Sequence, residues 1–293
     1  TRLDRALLAR AKDGILVITT GEERDPVQQT LRIGRLRTLE RLGLGEQVTM
    51  RDIQAEQGLG PSFLTRTGLS STVSDILCQL VAYHRPLEAT EGEVDRLHAG
   101  FIEEFEKISE TPAIRGPFAG FRDTSRYGRA LGDLVERAAA AYAAVAARAP
   151  RNPQRRTVLL AGDIAVKIND FANGGIVRRL NERGLQVAIE PSQTLLEYAA
   201  TEAPGEIART GEGRGRTLVA MGLRRMRRKQ YDRVRKLHPW IPDGAVAPIL
   251  AESDRVLGRH PRGEAPVTIG SVLHYWKERL CDGAVIVSPW GCG

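Results

Sequence analysis

Val158-Leu-Leu-Ala-Gly162 and Leu185-Gln-Val-Ala-Ile189, with Ile176-Val-Arg-Arg-Leu180 between them, decide the fold of this chain. The two outer runs are short and apolar, the pattern of strands buried on both faces. The middle run has helical spacing and stops at Gly184. A strand, a helix and a second strand in this order need a crossover connection, and a crossover pairs its strands in parallel. The expected fold class is α/β with a parallel sheet.

Downstream, the sequence predicts a strongly basic helix from about Leu218 to Leu237, helices from about Val246 to Leu257 and Ile269 to Leu280, and a closing strand, Ala284-Val-Ile-Val287. Upstream, Ala149-Pro-Arg-Asn-Pro-Gln-Arg-Arg156 has two prolines and charge but no large apolar residue, the composition of a linker. It separates residues 1–150 from residues 151–293. The first part opens as α/β: a helix from Leu3 to Ala11, a strand Gly14-Ile-Leu-Val-Ile18, and a helix through Leu31, Leu36, Leu39 and Leu42 closed by Gly43. Residues 45 to 70 keep no steady period and read as loop with short pieces of structure. A helical layer follows. Val73, Ile76, Leu77, Leu80 and Val81 share one face, ended by His84-Arg85-Pro86. Thr90-Glu-Gly-Glu93 has capping-box form ahead of Val94, Leu97, Phe101, Ile102 and Phe105. Leu131, Leu134, Val135, Ala138, Tyr142 and Val145 give the third helix. The chain opens without methionine and stops just after a strand, as a segment of a longer protein would, so the second domain is expected to be truncated at its C-terminus.

The 293 residues are 42% hydrophobic and 27% charged, enough apolar surface for a sizeable core. No apolar run approaches the roughly 18 residues that cross a bilayer, and no basic-then-apolar leader opens the chain. A cytoplasmic protein with no membrane partner is expected. Cys78, Cys281 and Cys292 include no CxxC pair, which excludes a disulfide framework and leaves a four-cysteine site short of ligands. The net charge of +7 is local: residues 214 to 236 hold ten Arg or Lys and one acid, Asp232, so the rest of the chain sums to −2. Such a helix can face phosphates or an acidic partner. Tyr231 alone interleaves it and no nucleic-acid motif surrounds it, so a nucleic-acid-binding module is the weakest of the functional readings.

The loop Gly162 to Asn173 leaves a strand and enters a helix, the position at which open parallel sheets bind ligands. Asp163, Asn169 and Asn173 are its candidate pocket residues. The structural alternative is that Asp163 and Asn169 satisfy loop amides, Asn173 or Asp170 caps the helix, and Phe171 plugs the core. The loop has neither a GxGxxG nor a GxxxxGK[ST] pattern, so no ATP site is expected here. Ser288-Pro-Trp-Gly-Cys292 bends sharply after the last strand and exposes its sulfur, which makes Cys292 the candidate metal ligand; Cys78 and Cys281 read as small buried thiols. The five histidines lack HxxxH or HExxH spacing, and GxSxG is absent, so neither a histidine zinc site nor a serine hydrolase is supported.

Asp75-Ile-Leu77, Arg85-Pro-Leu-Glu88, Gly92-Glu-Val-Asp-Arg96, Ala161 to Asn173, Arg179 to Val187, Gly263-Glu-Ala265, Thr268-Ile-Gly270 and Asp282 to Cys292 occur in an order that resembles the acyl-CoA dehydratase activase-related proteins. These are similar to the large subunits of 2-hydroxyacyl-CoA dehydratases and benzoyl-CoA reductases. The resemblance implies Rossmann-like α/β lobes and a cysteine-ligated iron-sulfur cluster fed with electrons by an ATP-hydrolysing activase, acting toward a CoA thioester. It implies Cys292 as a cluster ligand, with Asp163, Asn169 and Asn173 bordering the cluster or substrate pocket. The expected partners are the activase module and a dehydratase-like subunit. The glycine-proline-cysteine element of that family has no counterpart; Gly21-Glu-Glu-Arg-Asp-Pro26 stands in the first segment. A metal-free scaffold that docks the activase or dehydratase is the alternative expectation.

Overall fold

In the parallel sheet of the second half, β3 (Thr157–Gly162) lies between β4 (Gln186–Ile189) and β5 (Gly283–Val287), parallel to both. This is a computed structural model, and it describes residues 15–19, 37–43, 48–52, 61–112, 119–150, 152, 154–202, 213–258 and 263–289. Two compact units divide the chain, Thr1–Phe63 and Leu64–Gly293. In the first, β1 (Ile15–Thr19) pairs in parallel with β2 (Val48–Asp52), in a register that sets Ile15 against Val48 and Thr19 against Asp52. The strand β2 is one of the short pieces of structure expected within the loop of residues 45 to 70. Residues 37–41 are helical and end at Gly43, as expected, whereas the helix expected over 3–11 lies outside the described residues.

The helical layer consists of α1 (Pro61–His84), α2 (Glu93–Ser109) and α3 (Ala119–Arg148). Its apolar residues recur at helical spacing, so Val73, Ile76, Leu77 and Leu80 meet Leu131, Leu134, Ala138 and Tyr142 in one core. The capping box is replaced by a different device. Gly92 occupies the cap position with φ +73°, and the Glu88 carboxylate accepts the backbone N–H groups of Gly92 and Val94 at 3.0 and 2.9 Å. Glu93 reaches outward to Arg148 instead of back to its own turn.

Residues 149–156, expected as a domain linker, connect α3 to β3 inside the second unit. Side chains of β3 alternate between two packed faces. Leu159 and Ala161 face Ile249 and Tyr275, which lie on α8 (Val246–Leu257) and α9 (Ala265–Lys277). Leu160 faces the other way, with Val187 and Ile189, onto α5 (Ile176–Asn181) and Ala82 of α1. Helical layer and sheet are joined directly, since the Gln79 carboxamide donates to Ile189 O at 2.8 Å and that of Asn181 to Ala82 O at 2.8 Å. Two glycines are dictated by close approach. A Cβ on Gly162 (φ +117°) would stand 2.1 Å from Val287 O, and one on Gly270 would stand 2.2 Å from Ile249 O where α9 crosses α8. The first lets β3 and β5 end together, with Asp163 N–H bonded to Val287 O at 2.9 Å.

Beyond β4 and before β5 come α6 (Gln193–Glu202) and α7 (Gly213–Arg235), the latter being the expected basic helix. Among the described residues no helix is long and apolar enough to cross a membrane.

Candidate functional site

Strands β3 and β4 end side by side, and the residues that follow them carry the polar chemistry of this edge. After Gly162, the Asp163 carboxylate accepts the Val166 N–H at 2.9 Å and starts the short helix α4 (Ile164–Ile168). That turn points Lys167 inward, to 4% exposure, and leaves Ile168 and Phe171 in solvent. After Ile189, Glu190 bonds through its backbone N–H to Leu160 O, and its side chain is 2% exposed. Lys167 Nζ donates to Glu190 Oε2 at 3.0 Å, and the Ser271 hydroxyl on α9 donates to Glu190 Oε1. Both oxygens of the buried carboxylate are satisfied, which burial of a charge requires.

A small cleft of about 10 Å³ opens over this pair, with Ile164, Leu195 and Val267 as its apolar wall and Ser192, Thr268 and Glu264 among its polar lining. That is room for about one water molecule, so as it stands the cleft does not enclose a CoA thioester. Burial pushes the Glu264 carboxyl above its ordinary value, with Asp163 and Glu190 adding to the rise and Lys167 opposing it. Asp75, from α1, bonds to the residues that follow Glu190. Its Oδ2 accepts the Gln193 N–H at 3.2 Å at the start of α6, and burial still raises its carboxyl against the Ser192 and Gln193 hydrogen bonds. The edge therefore combines one fully paired buried ion pair with two carboxyls biased toward keeping a proton.

The three expected pocket residues are used by the loop itself. Asp163 caps α4, the Asn169 carboxamide oxygen accepts the N–H groups of Phe171 and Ala172 at 3.0 and 3.2 Å, and Asn173 binds the carbonyls of Val166 and Lys167 while accepting the Ile176 N–H. None of the three is among the residues that line the cleft. Phe171, expected to plug the core, is 97% exposed because α4 turns the loop outward. The site residues that sequence reasoning passed over are Lys167, Glu190, Ser271, Asp75 and Glu264. One signal did exist: Glu190 is an acid placed directly after a buried parallel strand.

Cys292, the expected metal ligand, lies outside the described residues. Cys281 is buried beside Leu159 just before β5, at the opposite end of the sheet from the cleft, and burial raises its thiol. Burial pushes the Cys78 thiol up to about 11, helped by Asp75. Burial thus favours the protonated form of both thiols. Among the described residues no three His, Cys, Asp or Glu side chains gather to hold a metal. The described residues by themselves thus do not make up a cluster's ligand set. Along α7, Arg224 and Arg227 pair with Glu197, Arg233 with Glu136, and Arg235 with Asp243, so part of the basic charge is consumed internally.

No family model, curated protein or solved structure matches this chain.

Proposed function

We propose that this chain is a module of an acyl-CoA dehydratase activase-related protein, and that it serves ATP-driven iron-sulfur electron transfer toward a CoA thioester as a metal-free, Rossmann-like lobe that docks the activase or dehydratase partner. A cytoplasmic setting is part of this proposal. The ordered sequence blocks support the family, and the parallel order β4-β3-β5 supports the lobe. The observation that carries the metal-free role is the carboxyl edge itself. Where that family's cluster or substrate pocket is expected, Lys167 and Ser271 are engaged with Glu190, and Asp75 with the start of α6. The two described thiols are both held protonated by burial.

A second, cluster-bearing reading is favoured by one contact. The bond from Asp163 N–H to Val287 O pins the end of β5 beside the 162–173 loop, so the segment that carries Cys292 leaves from the cleft edge. Such a site would draw its remaining thiolates from elsewhere. Anaerobic purification of the full-length protein, with iron and acid-labile sulfide analysis and visible absorption, separates the two. The metal-free role predicts neither iron nor the broad charge-transfer band. Stoichiometric iron whose band disappears in Cys292→Ala would overturn it in favour of the cluster.

A further inference from the structure

The cations of α7 from Arg224 onward fall into two sets, and the second set has no described partner. Arg224, Arg227, Arg233 and Arg235 bind acids of the same chain, and Arg227 is further buried against Gly244 O at 3.1 Å. Arg225, Arg228 and Lys229, with Lys236 just past the helix end, are exposed and meet no acid among the described residues. At 100° per residue these four fall within one face, together with Met221, which is 61% exposed. Asp232 is the single acid on that face. From Met221 to Lys236 the stripe runs roughly 22 Å along the helix.

We infer that this outer face of α7 is a docking surface for an acidic protein partner, with Met221 as its apolar anchor. Charge complementarity sets the sign of the partner, because four cations with no acid partner among the described residues lie beside one carboxylate. The choice of protein over nucleic acid rests on the aromatic residue. Binding of single strands uses aromatic rings as stacking platforms. Tyr231, the aromatic interleaved with these charges, is 1% exposed and packs into the core with Val234. What the face offers instead is a flexible thioether among arginines, and Met and Arg are enriched at protein interfaces. The inference stands independently of the family reading, since it uses only the helix and its charges.

The full-length protein is titrated at low salt with a labelled amphipathic peptide of glutamates and interspersed leucines, and separately with labelled duplex and single-stranded DNA, with anisotropy as the readout. The peptide is expected to bind more tightly than either DNA. The triple variant Arg225→Glu, Arg228→Glu, Lys229→Glu is expected to weaken peptide binding by about tenfold or more, and Met221→Ser by severalfold. A control triple at exposed cations elsewhere, Arg122→Glu, Arg129→Glu, Arg183→Glu, carries the same change in net charge and is expected to leave binding close to the parent's. Circular dichroism confirms that both triples fold. Absent peptide binding, tighter DNA binding, an equal loss in the control, or insensitivity to Met221→Ser would each overturn the inference.

Discussion

The carboxyl edge of the sheet and the helical layer both bury ionisable side chains, and they resolve the cost in opposite ways. At the edge, Lys167 and Glu190 are buried together and Ser271 completes the carboxylate. In the layer, His84 and His238 are 1% and 2% exposed, with rings 4.9 Å apart and nearly perpendicular. Each gives a ring N–H to a backbone carbonyl, His84 to Leu80 O at 2.8 Å and His238 to Ala139 O at 2.9 Å. Burial pushes His84 down to about 3, with His238 adding to the shift, and burial lowers His238 as well. The edge meets burial with an opposite charge; the layer meets it with neutrality. Buried polar groups therefore mark a candidate site in one region and plain core in the other.

The contrast is most exposed to failure at Glu190. Glu190→Leu strands a buried ammonium and is expected to lower stability by about 3–5 kcal/mol in urea unfolding, whereas Lys167→Met combined with Glu190→Leu recovers most of the loss. A single-variant loss below about 1 kcal/mol, or no recovery in the double variant, would erase the distinction.

Acid is the next lever, and it acts on the layer. Both folded-state histidine values lie below the ordinary 6.5, so the unfolded chain takes up protons first. Their contribution is complete above about pH 6.5 and is lost as pH falls through the window toward 3, by roughly 1 kcal/mol per pH unit for each histidine until its own folded value is reached. Urea midpoints between about pH 7 and about pH 5 read this slope. His84→Gln should flatten it, and an unchanged slope would mean that His84 is not held neutral.

A smaller effect sharpens what the loop is for. Asn173→Ala removes two donated bonds and one accepted bond and is expected to cost about 1–3 kcal/mol. Ligand or iron binding that changes while stability stays put would return the residue to a pocket role. The smallest expected effect is at the surface, where Arg137→Ala breaks an exposed pair with Glu104 and should shift stability by under about 1 kcal/mol in the same urea assay. A larger loss would show that surface pairs rank with the buried one.

Strands β3, β4 and β5 fall within a residue or two of the sequence expectation, as does α8, because each signals its state through its own side chains. The helix α6 was not foreseen: its start is held by Asp75, 118 residues earlier. The one-turn α4 was hidden inside an apparent loop, and its presence is what reverses the expected placement of Phe171 and turns Lys167 inward. The structural alternative for Asp163, Asn169 and Asn173 was legible, since such side chains satisfy nearby amides within a few residues.

Taken alone, the sequence determined the strands β3, β4 and β5 and the long helices with the faces they turn inward, because periodicity is a property of adjacent residues. Tertiary structure decided which charges meet. Glu190 finds Lys167 and Ser271 at separations of 23 and 81 residues, and which arginines of α7 are paired among the described residues depends on where Glu197, Glu136 and Asp243 fall in space. Coulombic and hydrogen-bond partners are set by distance through space, and no local pattern in the chain records that distance.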